Sequence, residues 1–180
     1  MADAPVDDGG AAHLVYRTPL PDIALPSSAG GQVNLRELEL PTIVYVYPWT
    51  GRPGVADPPG WDDIPGAHGS TPQSVGFRAV HARFEESGFS VFGLSTQGSE
   101  HHRELISRLD LPFAILSDEH FFLQKALRLP TFEASGTTYL KRLTLVVRKG
   151  CIARAFYPVH SPETHACVVL DWLVGVAQNL

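Results

Sequence analysis

Cysteine is nearly missing from this chain. Its 180 residues include two, Cys151 and Cys167, so no disulfide scaffold holds it and the fold depends on apolar burial. Positive charge is also in short supply: 14 Lys and Arg stand against 19 Asp and Glu, giving a net charge of −5 without any basic block. That balance excludes the electrostatic footprint of a nucleic-acid partner. Long hydrophobic runs are lacking. Stretches such as Thr42–Tyr47 and Leu143–Val147 fall far below the ~20 residues that span a bilayer, so no membrane partner is expected. The opening Met-Ala-Asp-Ala-Pro has no basic-plus-apolar leader pattern, and a cytoplasmic protein with reduced thiols is the expectation. Phosphate-cradling glycine motifs are absent. His101-His102 are adjacent rather than four apart, and His165-Ala-Cys167 has no further ligands near it. Neither a cofactor nor a metal is expected.

What the chain does contain is an alternation of strand and helix patterns. Residues 1–12 are small, acidic and glycine-containing and read as a loose tail ahead of one domain, residues 13–180. Asp22–Leu25 and Gln32–Leu38 flank a Ser-Ser-Ala-Gly-Gly turn. Pro41–Tyr47 is β-branched and aromatic, the pattern of a strand buried on both faces. A helix follows from Ser70 to Gly88, with Phe77, Val80 and Phe84 on one face. Strands are predicted at Phe89–Leu94 and Pro112–Leu116, and helices at Glu100–Leu109 and His120–Leu129. Tyr139–Val147 and Ile152–Tyr157 read as a hairpin, and Ser161-Pro-Glu as the cap of a last helix. The order β-β-β-α-β-α-β-α-β-β-α predicts an α/β fold with a central mixed sheet flanked by helices.

One segment breaks the alternation. Pro48–Gly69 is rich in proline and glycine, and so long an irregular stretch inside a domain is usually functional. Trp49 and Trp61 within it argue that it folds back onto the body as the roof of a pocket. Where it ends, Ser70 and Gln73 form an S-x-x-Q capping box with Pro72 in the first turn. A helix start also exposes amide N–H groups and a partial positive charge, a ready site for an anion. Ser70 is therefore either a cap or a ligand contact, with the Thr71 hydroxyl beside it. His68 precedes it and could serve as a base, with Asp62 and Asp63 close in sequence. Cys151 falls in a turn and Cys167 mid-helix among apolar neighbours, which suits buried structural thiols.

Several motifs together resemble the peroxiredoxins, within the thioredoxin superfamily. Pro21-Asp-Ile-Ala-Leu-Pro26 with Gly31-Gln-Val-Asn-Leu-Arg-Glu-Leu38 is similar to that family's opening hairpin. Val44-Tyr-Val-Tyr-Pro48 resembles its core strand. Gly69-Ser-Thr-Pro-Gln-Ser-Val-Gly-Phe-Arg78 resembles the active-site helix of the bacterioferritin-comigratory, or Q-type, subgroup, which reads G-C-T-x-x-x-C-x-F-R. Phe92–Ser95, Phe113–Asp118 and Arg142–Val147 match later strands, so the likeness covers nearly the whole chain. It implies a thioredoxin-like fold with an N-terminal hairpin and an active-site insertion. By the same likeness the partner is a hydroperoxide or another small molecule, and the protein a monomer or homodimer.

The departures bear on activity. In this alignment the peroxidatic cysteine falls on Ser70 and the resolving cysteine on Val75. The family's proline is Pro48, now separated from Ser70 by the insert, and its threonine falls on Ala67 unless Thr50 folds over to replace it. Arg142 matches the arginine that faces the reactive cysteine. Peroxide reduction needs a thiolate that becomes a sulfenic acid, and a hydroxyl has no equivalent cycle. The chain as written is thus expected not to be a working thiol peroxidase. What persists is a pocket of helix head and Arg142 for a small polar or anionic ligand. The alternatives are a cysteine-substituted form of an active peroxidase, or a fold adopted for non-redox biosynthetic chemistry.

Overall fold

The computed structural model describes residues 4–177. A turn at Ser27–Gly31 joins β1 (Ala24–Pro26) and β2 (Gln32–Asn34) into an antiparallel pair. The apolar run of β3 (Thr42–Val46) is buried at every position. The insert then leads to α1 (Ser70–Ala79), α2 (His81–Glu86), β4 (Ser90–Ser95), α3 (Ser99–Leu109), β5 (Ile115–Ser117) and α4 (Phe122–Leu127). The chain continues through β6 (Thr131–Ala134), β7 (Thr137–Leu140), β8 (Leu143–Arg148) and β9 (Cys151–Phe156), and α5 (His165–Ala177) follows.

Strands order as β5-β4-β3-β8-β9. The β3–β4 and β4–β5 pairs, joined by helical crossovers, are parallel, whereas β3–β8 and β8–β9 are antiparallel. This is the mixed sheet that the element order predicts. Alternation along β3 divides the core between the two faces. Ile43, Tyr45 and Tyr47 join Phe77, Phe84, Leu105 and Leu170, side chains of α1, α2, α3 and α5. Val44 and Val46 face Leu25, Leu35, Leu123 and Leu127, from the N-terminal hairpin region and α4.

Four expectations need correction. The helix read as continuous from Ser70 to Gly88 breaks at Val80, where φ is −113° and ψ is 11°; a β-branched residue tolerates that departure from helix readily. The strand read as Tyr139–Val147 is two strands. The chain leaves β7, passes Lys141 and Arg142, and re-enters the sheet as β8. The first of these strands pairs with β6 through the Ser135-Gly136 turn, both residues at positive φ, a hairpin the sequence reading missed. The tail expected to be loose is tied down from Asp8 to Ala12. Asp8 accepts hydrogen bonds from Lys141 Nζ and Tyr157 OH, each at 2.6 Å, and Ala11 is buried; residues 1–3 lie outside the described part. Cys167, expected inside, is exposed, because α5 turns that side away from the sheet, and Cys151 is half-buried; both thiols are free.

Candidate functional site

The site begins with a glycine. Gly69, at φ 102°, turns the end of the insert into α1, and a side chain there would meet Pro162 at 2.7 Å. Ser70 therefore sits inside the first turn, and no side chain caps the helix. The capping-box expectation fails here, because both of its residues are engaged elsewhere. Gln73, fully buried, accepts a hydrogen bond from Arg142 Nη1. Ser70 Oγ accepts one from Arg142 Nη2 at 3.1 Å. The backbone amides of Ser70 and Thr71 precede the first intrahelical bond, which runs from Gln73 N–H to the Gly69 carbonyl, while Pro72 has no N–H to offer.

Arg142 is 4% exposed. Its Nη2 also faces the carbonyls of His68, Ala67 and Gly66, at 2.9, 3.3 and 3.3 Å. One guanidinium thus gathers the last residues of the insert onto the head of α1. All these partners are neutral, and among the described residues no carboxylate lies within ion-pair distance of Arg142. Burial alone pulls the guanidinium down to about 9, far below its usual range. His165, hydrogen-bonded to Thr144 Oγ1 at 3.0 Å, is pulled down to about 4, first by burial and then by the charge of Arg142. Its burial inside, with Cys167 outside, separates the two residues of the possible His165–Cys167 metal pair.

Above the helix head lies a cavity of about 460 Å³, walled by Trp49, Thr50, Trp61, His68, Ser70 and Thr71. Trp61 is 3% exposed and anchors the insert, packing edge-on against Tyr139 at 4.9 Å and Trp49 at 5.5 Å. Both tryptophans thus form part of the cavity wall. Thr50 shares the cavity but does not bond to Ser70 or Arg142. Its Oγ1 is used by Gln97 Oε1 at 3.1 Å and His101 Nε2 at 3.0 Å. Pro48 is buried at the end of β3, and half-buried Val75 lies further along α1, outside the cavity wall.

His68 does not act on Ser70. Its exposed ring is held by Asp62 Oδ1 at 2.7 Å, with Asp57 Oδ2 3.9 Å from the other nitrogen. Among the described residues this exposed trio is the group whose ligand atoms, within 4.8 Å of one another, could share a metal ion. His102 points the opposite way from His101, into the core, where its Nε2 lies 2.8 Å from Ser95 Oγ; burial pulls it down to about 3. Sequence reasoning missed Gln73 as a partner of Arg142 and Gln97 as the anchor of Thr50. The signal for Gln73 was its place on the same helix turn as Ser70. Gln97, far off in sequence, gave none.

Arranged this way, the site offers a hydroxyl and two amide donors at a helix head, backed by a buried cation that lies behind the cavity wall. It can hold a small acceptor-rich or anionic group, and within it no sulfur is present. The chain matches known proteins over its length. It is 27% identical over 161 residues to the chloroplastic peroxiredoxin Q of Sedum lineare, covering 89% of this chain and 76% of that protein. It is likewise 27% identical over 146 residues to the chloroplastic peroxiredoxin Q of Oryza sativa subsp. japonica, covering 81% of this chain and 60% of the other. Among solved structures, the peroxidoxin BcpB of Mycobacterium tuberculosis superposes with a TM-score of 0.72 at 19% identity, over 89% of this chain and 97% of that one. The bacterioferritin comigratory protein of Xanthomonas campestris does so with a TM-score of 0.69 at 21% identity, over 98% and 99%. The fold is thus the thioredoxin-like fold of peroxiredoxins. The AhpC/TSA family model matches residues 65–155, just over half of the chain and including the head of α1 and Arg142, so the chain belongs to the AhpC/TSA family.

Proposed function

We propose that this protein is a peroxiredoxin Q-like chain that binds a small polar or anionic ligand at the head of α1 without reducing hydroperoxides. The observation that carries this reading is the hydrogen bond from Arg142 Nη2 to Ser70 Oγ, at the helix head where the family resemblance calls for a thiolate. A thiolate would supply both the nucleophile and the negative charge that balances the guanidinium. A hydroxyl supplies neither at neutral pH. An anionic ligand would restore the missing charge and satisfy the amides of Ser70 and Thr71. Cys151 begins β9 and Cys167 faces outward from α5, so neither thiol borders this cavity. Free thiols suit a reducing compartment, and the cytoplasm is the proposed location.

A peroxide-consumption assay with a thioredoxin-type reductant tests the reading. The chain as written is expected to leave hydrogen peroxide and an alkyl hydroperoxide untouched. Ser70→Cys with Val75→Cys should restore turnover, because helix head and arginine are already in place. Turnover by the unmodified chain would refute the proposal.

A further inference from the structure

The insert carries a second group of polar side chains, apart from the helix head. Asp57, Asp62 and His68 each offer one ligand atom, and the three atoms lie within 4.8 Å of one another. Asp62 Oδ1 is 2.7 Å from His68 Nε2, and Asp57 Oδ2 is 3.9 Å from Nδ1. Among the described residues neither carboxylate has a lysine or arginine within ion-pair distance. Two carboxylates are thus gathered about a single imidazole. The backbone beneath two of the three is anchored. The His68 carbonyl accepts a hydrogen bond from Arg142 Nη2 at 2.9 Å. Asp62 follows the buried Trp61 in the short 3-10 turn Trp61–Asp63. The side chains themselves stay open to solvent, His68 and Asp57 by about half and Asp62 almost wholly.

One imidazole nitrogen and two carboxylate oxygens form a donor set for a divalent first-row ion, and the two negative charges balance its own. Calcium and magnesium take oxygen ligands, so the imidazole selects against them. Zinc has no geometric preference from its d electrons and suits an adaptable trio. Its bonds of about 2.0–2.2 Å set tetrahedral neighbours roughly 3.3–3.6 Å apart, so the three atoms need to close by about 1 Å, within reach of exposed side chains that rotate freely. We infer that Asp57, Asp62 and His68 bind one Zn²⁺ ion, through a single ring nitrogen and one oxygen of each carboxylate. Three protein ligands leave a fourth position open. Asp57 and His68 both belong to the wall of the cavity above α1, so the ion stands at its rim. The inference uses neither the Ser70 hydroxyl nor the charge of Arg142, and it stands whether or not the helix head binds an anion.

Calorimetric titration of the metal-free full chain with Zn²⁺ tests it. One ion per chain should bind at these residues with a Kd of about 0.1 mM or tighter. His68→Ala, Asp57→Asn and Asp62→Asn, each checked for folding by circular dichroism, should each weaken it by at least about tenfold, since even a supporting partner is worth about 10–100-fold at a metal site. Cys167→Ser and His160→Ala remove exposed donors outside the trio and should bind as the parent chain does. A weaker Kd in the parent chain would overturn the inference and leave the trio an ion-pair cluster only. So would binding that keeps its parental affinity in His68→Ala, or that is lost in Cys167→Ser or His160→Ala, since each would place the ion on other donors.

Discussion

At position 70, an oxygen stands where the guanidinium of Arg142 would lower the pKa of a sulfur. The same geometry predicts what a thiol there would do. A free cysteine titrates near 8.5, and a cation with helix-head amides favours the thiolate. In Ser70→Cys the thiol pKa should fall below that value, measured as the pH dependence of iodoacetamide alkylation. In Ser70→Cys with Arg142→Met it should rise back, since burial without a cation disfavours the charged form. An unchanged alkylation profile between the two variants would mean that Arg142 does not sense position 70. The hydrogen bond of 3.1 Å makes that outcome unexpected.

Two elements hold the site in shape: α1 and the insert. Helix α1 lies against the segment that leads into α5 so closely that Gly76 has no room for a side chain. A Cβ there would come within 2.5 Å of the Glu163 carbonyl oxygen. Gly76→Ala should therefore destabilise the fold by about 1–3 kcal/mol, the cost of overpacking against backbone, read in a urea titration. Gly136→Ala is the contrast. It meets nothing within 4 Å, and only its φ of 76° opposes it, so the loss should stay near ~1 kcal/mol. The insert depends on Trp61. Trp61→Ala removes the centre of its contact with Trp49, Phe132 and Tyr139 at a cost of about 3–5 kcal/mol. Limited proteolysis should then cut between Gly51 and Gly60 faster than in the parent chain.

Across the whole molecule, two buried histidines set the acid limit. His102 is pulled down to about 3 and His165 to about 4, in both cases chiefly by burial. An unfolded chain binds these protons near 6.5, so below that pH it takes up more protons than the native state. The stability from keeping both rings neutral is complete above pH 6.5 and falls as pH drops towards 4. The loss is on the order of 2–3 kcal/mol for each ring by then. Asp8 acts in the same direction but at lower pH: its bonds to Lys141 and Tyr157 hold its carboxyl well below the usual range, so its contribution is intact at pH 4 and is lost only as pH falls below the ordinary carboxylate pKa of ~3.9. Thermal melts should show the midpoint dropping from pH 7 to pH 4. In His165→Gln with His102→Gln that slope should flatten.

The pattern of apolar residues was enough to reveal the α/β order, the doubly buried β3 and the inward places of Phe77 and Phe84. Strand and helix periods are local, and the core they build is the dominant driving force. The β6–β7 hairpin was also open to sequence reading, through Ser135-Gly136 between Thr-Phe-Glu-Ala and Thr-Thr-Tyr-Leu. The role of Ser70 was not. A capping box is a local pattern, and it lost to a partner 72 residues away, because a buried guanidinium with five donors must find acceptors wherever the fold brings them. The same holds for Thr50, claimed by Gln97 and His101; the His68–Asp62 contact, six positions apart, was within reach of the sequence. Sequence alone determined which atoms exist at the site, and with them the absence of a thiol at position 70. Tertiary structure alone decided which of those atoms meet, since hydrogen bonds between distant residues are chosen by packing and not by spacing along the chain.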